Sequence, residues 1–265
     1  MTKFTVVIPA RYASTRFEGK PLALIKGKPM LQHVHERALE AGASSIIVAT
    51  DDPRIEKAAR AFGADVCMTS SEHQSGTTRI SEVISIRGIE KSEIVVNVQG
   101  DEPFIPPENI RQCADNLATN TNYPMSTLCY PIDDAEDVLN PNVVKVVKSE
   151  KGKALYFSRA PIPFTRGQII LNEQGQLEAA NLALKMQLNN GQAESQFKYF
   201  RHIGIYGYRA SFIKAYANMP DSALEHIESL EQLRVLDRGF DIHIEIAKKL
   251  PPHGVDTPED LRKFS

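Results

Sequence analysis

The sequence predicts an α/β fold with a mostly parallel central sheet flanked by helices, and three features carry that prediction. Short apolar runs alternate with amphipathic helical stretches through the first half of the chain. Runs of that length suit strands buried on both faces, and the helices between them suit right-handed crossovers. Polar clusters then follow three of the runs: Arg11 to Lys20, Thr50-Asp51-Asp52, and Gln99-Gly100-Asp101-Glu102-Pro103. Ligands in open α/β sheets bind beyond the carboxyl ends of the strands, so several polar strand ends mark one expected cleft.

Taken in order, Phe4 to Ile8 is the first strand and ends at Pro9. Lys26-Gly27-Lys28-Pro29 forms a small turn before a helix from about Pro29 to Ala41, with Leu31, Val34, Ala38 and Ala41 on one face. Ile46 to Ala49 is a second buried run. Asp52-Pro53 then starts a helix carrying Ile55, Ala58, Ala59 and Phe62 at helical spacing, which Gly63 ends. Val66 to Met68 is a strand, a helix with Ile80, Val83 and Ile84 inward follows, and Ile94 to Val98 is the next strand. The second half is less regular: Met125 to Tyr130, Val143 to Val147, Leu155 to Phe157 and Ile203 to Tyr208 read as strands. Gln168 to Lys198 is polar and rich in Gln and Asn, an excursion that is part helix and part loop. Without a repeat or a convincing linker, residues 1–265 are expected to form a single domain with an excursion at about 165–200.

A chain of 265 residues, 42% hydrophobic and 24% charged, can bury a proper core. Its net charge of −2 comes without a basic block, so no nucleic-acid partner is expected. Cys67, Cys113 and Cys129 are scattered in apolar surroundings and read as reduced core residues. No signal-peptide pattern and no run of membrane-spanning length appear, so the expected location is cytoplasmic, without membrane insertion.

Five constellations carry possible chemistry. Arg11, Arg16 and Lys20 on one loop after the first strand, closed by Gly19-Lys20-Pro21, predict a phosphate-binding loop. The spacing fits neither a Walker A loop nor a dinucleotide fingerprint, and the plain alternative is a solvated basic turn. Asp101, raised on a Gly turn at the end of a buried strand, suits a hard divalent cation such as Mg²⁺; the alternative is an Asp in a turn before proline. Near the far end, Thr257 reads as an N-cap, Pro258 as a first-turn residue and Asp260 as the capping partner. Asp256 stands outside that cap and is the candidate second metal carboxylate.

Leu224 to Arg234 reads as one helix, on which Glu231 projects close to Leu224 and Ile227. A carboxylate in an apolar stripe needs a partner, which Arg234, a nearby backbone group or a hydroxyl-rich ligand would supply. In His73-Gln74-Ser75-Gly76-Thr77, Ser75 or Thr77 caps the next helix, while Gln74 and the helix-end backbone offer donors and acceptors to a nucleobase. His202 has no His or Cys pattern around it, so a metal site is not expected there.

The segments IPARYASTRFEGKPL, ATDD, HQSGTTR, VNVQGDEP, NPNVVKVV, ALYFSRAPIP, RHIGIYGYR, LEQLRVL and GVDTPEDL, in this order, resemble the 3-deoxy-manno-octulosonate cytidylyltransferases, the CMP-KDO synthetases of lipopolysaccharide assembly. The resemblance runs from residue 4 to about 262 and lapses mainly after Phe164. It implies a glycosyltransferase-A-like nucleotidyltransferase fold, with a smaller dimerisation and sugar-binding excursion. It also implies transfer of CMP from CTP to a 3-deoxy sugar acid, dependence on Mg²⁺, and a homodimer. By motif, Arg11, Arg16 and Lys20 would hold the triphosphate, with Lys20 and Arg11 counted among the catalytic groups. Pro9, Ala10, Gln74, Ser75, Gly76 and Thr77 would hold cytosine and ribose, and Asp101 and Asp256 the metal. Gln99, Arg159, His202, Tyr206, Glu231 and Gln232 would line the sugar pocket, with Arg159 facing the carboxylate. The resemblance breaks at Phe17-Glu18, where the family has Leu-Pro; a freer loop carrying an added negative charge is expected to weaken CTP binding. Sialic acid and an amino-substituted octulosonate are the neighbouring substrates, and a non-catalytic nucleotide sensor is the alternative from another class.

Overall fold

The computed structural model describes residues 2–13, 17–73, 75–164, 198–252, 254–255 and 257–262. Arg16, Gln74, Asp256 and the excursion at 165–197 therefore lie outside the described residues. The chain divides into two compact units: unit 1 comprises Met1–Thr127, Gly204–Met219 and Ala247–Ser265, and unit 2 comprises Leu128–Ile203 and Pro220–Ile246. Neither is a continuous stretch, so no linker composition could have marked a boundary between them.

Unit 1 is built on parallel strands. β1 (Phe4–Pro9) lies between β4 (Ser45–Thr50) and β6 (Ile94–Asn97), and β5 (Asp65–Met68) pairs with β4. The first five residues of β1 are buried, as a strand covered on both faces requires. On the other side of β6 lies Tyr206–Arg209, the end of β10 (Phe200–Arg209), which runs antiparallel to it. β7 (Met125–Pro131) follows β10 in the strand order.

The crossover helices form where the apolar spacing placed them. α1 (Met30–Glu40) buries Met30, Leu31, Val34 and Ala38, and truncating Leu31 to Ala would cost about 2–5 kcal/mol. The Arg111 guanidinium caps this helix by donating to the carbonyls of Ala41 and Gly42 at 2.8 and 3.0 Å. α2 (Pro53–Ala61) starts at the Asp52 N-cap with Pro53 in its first turn, and α3 (Gly76–Arg87) starts at Ser75. α4 (Pro107–Thr119) packs on β6, and α6 (Ala210–Tyr216) packs on α3. Ahead of α1, β2 (Leu24–Ile25) and β3 (Lys28–Pro29) form a small hairpin. Its turn residues Lys26 and Gly27 both have positive φ, 48° and 80°, the mirror-image turn that matches strand twist.

In unit 2, β8 (Lys145–Lys148) pairs antiparallel with β9 (Ala154–Ser158) and contacts the start of β10 at Arg201. α5 (Ala135–Leu139) supplies Ala135 and Val138 to a small core with Ile132 and Tyr199. β11 (Ile242–Ile246) completes the strands.

The stretch expected to be one helix from Leu224 to Arg234 is two: α7 (Ala223–Glu228) and α8 (Gln232–Asp237). Ser229, at φ 53°, breaks them in the left-handed region, without a Gly or Pro to announce it. The helical projection that put Glu231 in an apolar stripe therefore fails: Glu231 is exposed, and Ile227 is 80% exposed. Arg234 turns instead to Glu225, with Nε and Nη2 each donating at 2.6 Å. Back in unit 1, Thr257 and Asp260 make the expected reciprocal cap of α9 (Pro258–Arg262).

Candidate active site

Pro9 is the point on which three elements of unit 1 close. The strand run ends there, and Ala10 continues it by donating its N–H to the Ala49 carbonyl at 2.9 Å. A Cβ added to Gly100 would lie 3.0 Å from the Pro9 carbonyl oxygen, so this glycine lets the turn after β6 approach the end of β1. A Cβ on Gly76 would lie 3.2 Å from Pro9 Cγ, which places the start of α3 against the same proline ring. Ser75 is committed to the helix, its Oγ accepting from the Thr78 N–H at 3.2 Å, and Thr77 is buried. Pro9, Ala10, Ser75, Gly76 and Thr77 are thus brought together, with a helix N-terminus favouring negative charge beside them.

The first loop is held at its base. Gly19, at φ 68°, donates its N–H to the Tyr12 carbonyl at 2.9 Å. The Arg54 guanidinium lies 3.3 Å from the Tyr12 ring centroid, and Asp52 binds it through both oxygens at 3.0 and 2.7 Å. The same bonds from Arg54 hold the Asp52 carboxyl below the usual carboxylate range. Asp52 is therefore a helix cap and a loop support, while Asp51 faces the buried Arg79 at 3.2 Å. Glu18 acts on Arg54, adding to its positive stabilisation after Asp52. Of the three loop cations, Arg11 is exposed, Arg16 lies outside the described residues, and Lys20 reaches Asp101, Nζ to Oδ2 at 2.7 Å.

Asp101 also meets the far end of the chain. Val255, the residue before Asp256, donates its N–H to the Asp101 carbonyl at 3.0 Å. A Cβ on Gly254 would lie 3.1 Å from Glu102 Oε1 and 3.3 Å from that same carbonyl. Val255 itself is buried with Ile25 and Met30, which fixes this approach. Gln99 closes the turn by accepting the Glu102 N–H at 3.2 Å. Tyr206 pairs in register with Asn97 on β10 and β6. Asn97 was not singled out from sequence, yet it is buried and its Oδ1 has no hydrogen-bond partner among the described residues. A polar residue inside the run IVVNV was the signal.

Unit 2 holds further candidate residues. Arg159 donates from Nε to the Glu228 carbonyl at 2.7 Å, from Nη1 to Pro141 at 2.9 Å and from Nη2 to Ser229 at 3.4 Å. Glu228 in turn accepts from Ser158 Oγ at 2.6 Å and from the Arg159 N–H at 2.9 Å. Behind them Lys145 is fully buried and donates to the Asn140 carbonyl at 2.7 Å. Burial, and then the nearby Arg159, lower its pKa to about 8. His202 packs edge-on against Phe157 at 5.0 Å, and burial lowers its pKa to about 3, so its imidazole is neutral. Gln232 is buried, and its Nε2 has no hydrogen-bond partner among the described residues, an unmet donor of the kind a ligand oxygen satisfies.

The family model described as cytidylyltransferase matches residues 5–245. A 3-deoxy-manno-octulosonate cytidylyltransferase of Alteromonas mediterranea is 57% identical over 261 residues, 98% of each chain. One from Pseudoalteromonas atlantica is 53% identical over 265 residues, covering 98% of this chain and 96% of its own. The chain belongs to the 3-deoxy-manno-octulosonate cytidylyltransferase family. A solved structure of CMP:2-keto-3-deoxy-manno-octonic acid synthetase complexed with CTP matches at TM-score 0.82 and 41% identity, covering 99% of this chain and 96% of that one. A cytidylyltransferase from Leptospira borgpetersenii, at TM-score 0.57 and 14% identity, shares the fold. Among the described residues no helix of this family member is long and apolar enough to cross a membrane.

Proposed function

We propose that this protein transfers CMP from CTP to 3-deoxy-D-manno-octulosonate, giving CMP-KDO and pyrophosphate. The observation that carries the reading is the full-length match to a synthetase structure holding CTP. The closure of β1, α3 and the Gln99–Glu102 turn on Pro9 supports a nucleotide site in unit 1. The anomeric oxygen of the sugar acid attacks the α-phosphorus in line, the bond to the bridging oxygen of the β-phosphate breaks, and pyrophosphate leaves with those electrons. The hydroxyl proton passes to solvent. Arg11, Arg16 and Lys20 neutralise the triphosphate and its leaving group, and the start of α3 holds the nucleoside.

The donor set suits Mg²⁺. This hard ion takes one or two carboxylates together with phosphate oxygens and water, and Asp101 lies beside the approach of the segment leading to Asp256. Asp101 and Asp256 would hold the metal, which would lower the pKa of the attacking hydroxyl and offset phosphate charge. In unit 2, Arg159 keeps guanidinium donors for the sugar carboxylate, and Gln232 offers its unmet amide donor to a hydroxyl. Family likeness adds His202 and Glu231 of unit 2, and Gln99 and Tyr206 of unit 1, to the proposed sugar ligands. We assign a homodimer and a cytoplasmic location on family likeness alone.

Pyrophosphate release measured with CTP, Mg²⁺ and a panel of sugar acids tests the reading. Release with the octulosonate and not with sialic acid supports it. Faster release with an amino-substituted octulosonate would reassign the substrate, and CTP binding without release would favour a sensor. Asp101→Asn is expected to lower turnover by about a thousandfold with an unchanged circular dichroism spectrum.

A further inference from the structure

Lys20 and Asp101, from two separate motifs, meet at 2.7 Å with side chains 14% and 35% exposed. Neither element needs this ion pair to hold its shape. The loop is already pinned by the Gly19–Tyr12 bond and by Arg54 over Tyr12. The Asp101 turn is already closed by the Glu102–Gln99 and Val255–Asp101 bonds. A partly exposed pair of this kind adds little to stability, so its meaning lies in the two groups it joins.

We propose that Lys20 is a counter-ion latch on Asp101, which yields that carboxylate to a divalent cation when a triphosphate draws the ammonium away, so that nucleotide loads before metal. The proposal rests on the reading of Asp101 as a metal ligand. A lysine ammonium is a compact charge on a flexible four-carbon stem with three donors, able to move from one anion to another. A divalent cation binding Asp101 in the free protein must displace the ammonium or sit against its positive charge. Triphosphate removes that obstacle twice over, because its oxygens take Lys20 and also supply ligands that a hard cation requires. Linkage makes the effect mutual: the factor by which nucleotide tightens metal binding is the factor by which metal tightens nucleotide binding.

Titration of the free protein with Mn²⁺ alone, followed by the electron paramagnetic resonance of the unbound ion, tests the latch. Lys20→Gln is expected to bind Mn²⁺ about tenfold more tightly than wild type, while Lys20→Arg, which keeps the charge and the pair, stays close to wild type. Arg11→Gln removes the same charge from the same loop without touching Asp101, and a change of less than about twofold is expected. No tightening in Lys20→Gln, or equal tightening in Arg11→Gln, would overturn the latch. Asp101→Asn separates it from the metal reading: undiminished Mn²⁺ binding in that variant removes Asp101 as the ligand. Binding lost in Asp101→Asn but indifferent to Lys20 defeats the latch alone.

Discussion

At the strand ends of unit 1 two glycines, Gly76 and Gly100, let a helix start and a turn close on Pro9. In unit 2 one arginine, Arg159, instead grips the carbonyls of Pro141, Glu228 and Ser229. The first region is shaped by backbone approach, so its geometry depends on the absence of side chains. The second is shaped by long side chains reaching carbonyl groups, so it depends on single residues in the right rotamer. Sites of the first kind should fail through added bulk and those of the second through truncation.

Substitutions can break or sharpen that contrast. The largest effect is expected at Glu225, whose carboxylate takes both arms of a largely buried Arg234. Glu225→Gln leaves that guanidinium poorly matched and should cost about 3 kcal/mol in urea unfolding. A loss of a few tenths would mean that Asp221, 2.8 Å from Arg234, suffices. Next comes Gly100→Ala, whose new methyl meets the Pro9 carbonyl oxygen. An increase of about thirtyfold in the KM for CTP is expected, with the KM for sugar little changed. Arg159→Ala should do the reverse, raising the KM for the sugar acid about tenfold and sparing CTP, and Arg159→Lys should not rescue it because an ammonium lacks the fork. Equal effects of either variant on both substrates would erase the distinction between the two regions.

The smallest effect is a pH dependence from Lys145, whose pKa burial lowers to about 8 from an ordinary 10.5. Below that folded value the lysine is charged in both states and its burial cost is fully present. Between the two values the unfolded chain holds more protons, so stability rises with pH until the cost is gone. Lys145→Met lacks this slope. Its change in stability relative to wild type should therefore become less favourable, by a fraction of a kcal/mol or more, between about pH 7 and pH 9.5. An identical difference at both pH values would contradict the burial argument.

The same contrast explains what could be read in advance. Strand ends, the Gly19 turn, the Asp52 and Thr257 caps and the buried cysteines follow from local rules of conformation and burial, and they appear as expected. The Glu231 reading failed because a left-handed serine breaks a helix that periodicity continues. Lys145 and the role of Glu228 were illegible for another reason. A lysine buried against a backbone carbonyl has no signature in spacing, and the pairing of Ser158 with Glu228 depends on strands and helices distant in sequence. The meeting of Val255 with Asp101 is equally non-local, although the position of Asp256 outside its cap hinted that the segment had another task.

The antiparallel pairing of Tyr206–Arg209 with β6 also bears on how the chain is made. On the ribosome, β1, β4, β5 and β6 emerge well before the residues that cover the open side of β6, and the whole of unit 2's first segment comes between them. A nascent chain must therefore carry the apolar edge Ile94-Val95-Val96-Asn97 unprotected through that interval. An exposed strand edge of this composition invites pairing with a neighbouring chain. Slowing translation between residues 98 and 205 is thus expected to lower the soluble yield more than the same pause after Arg209.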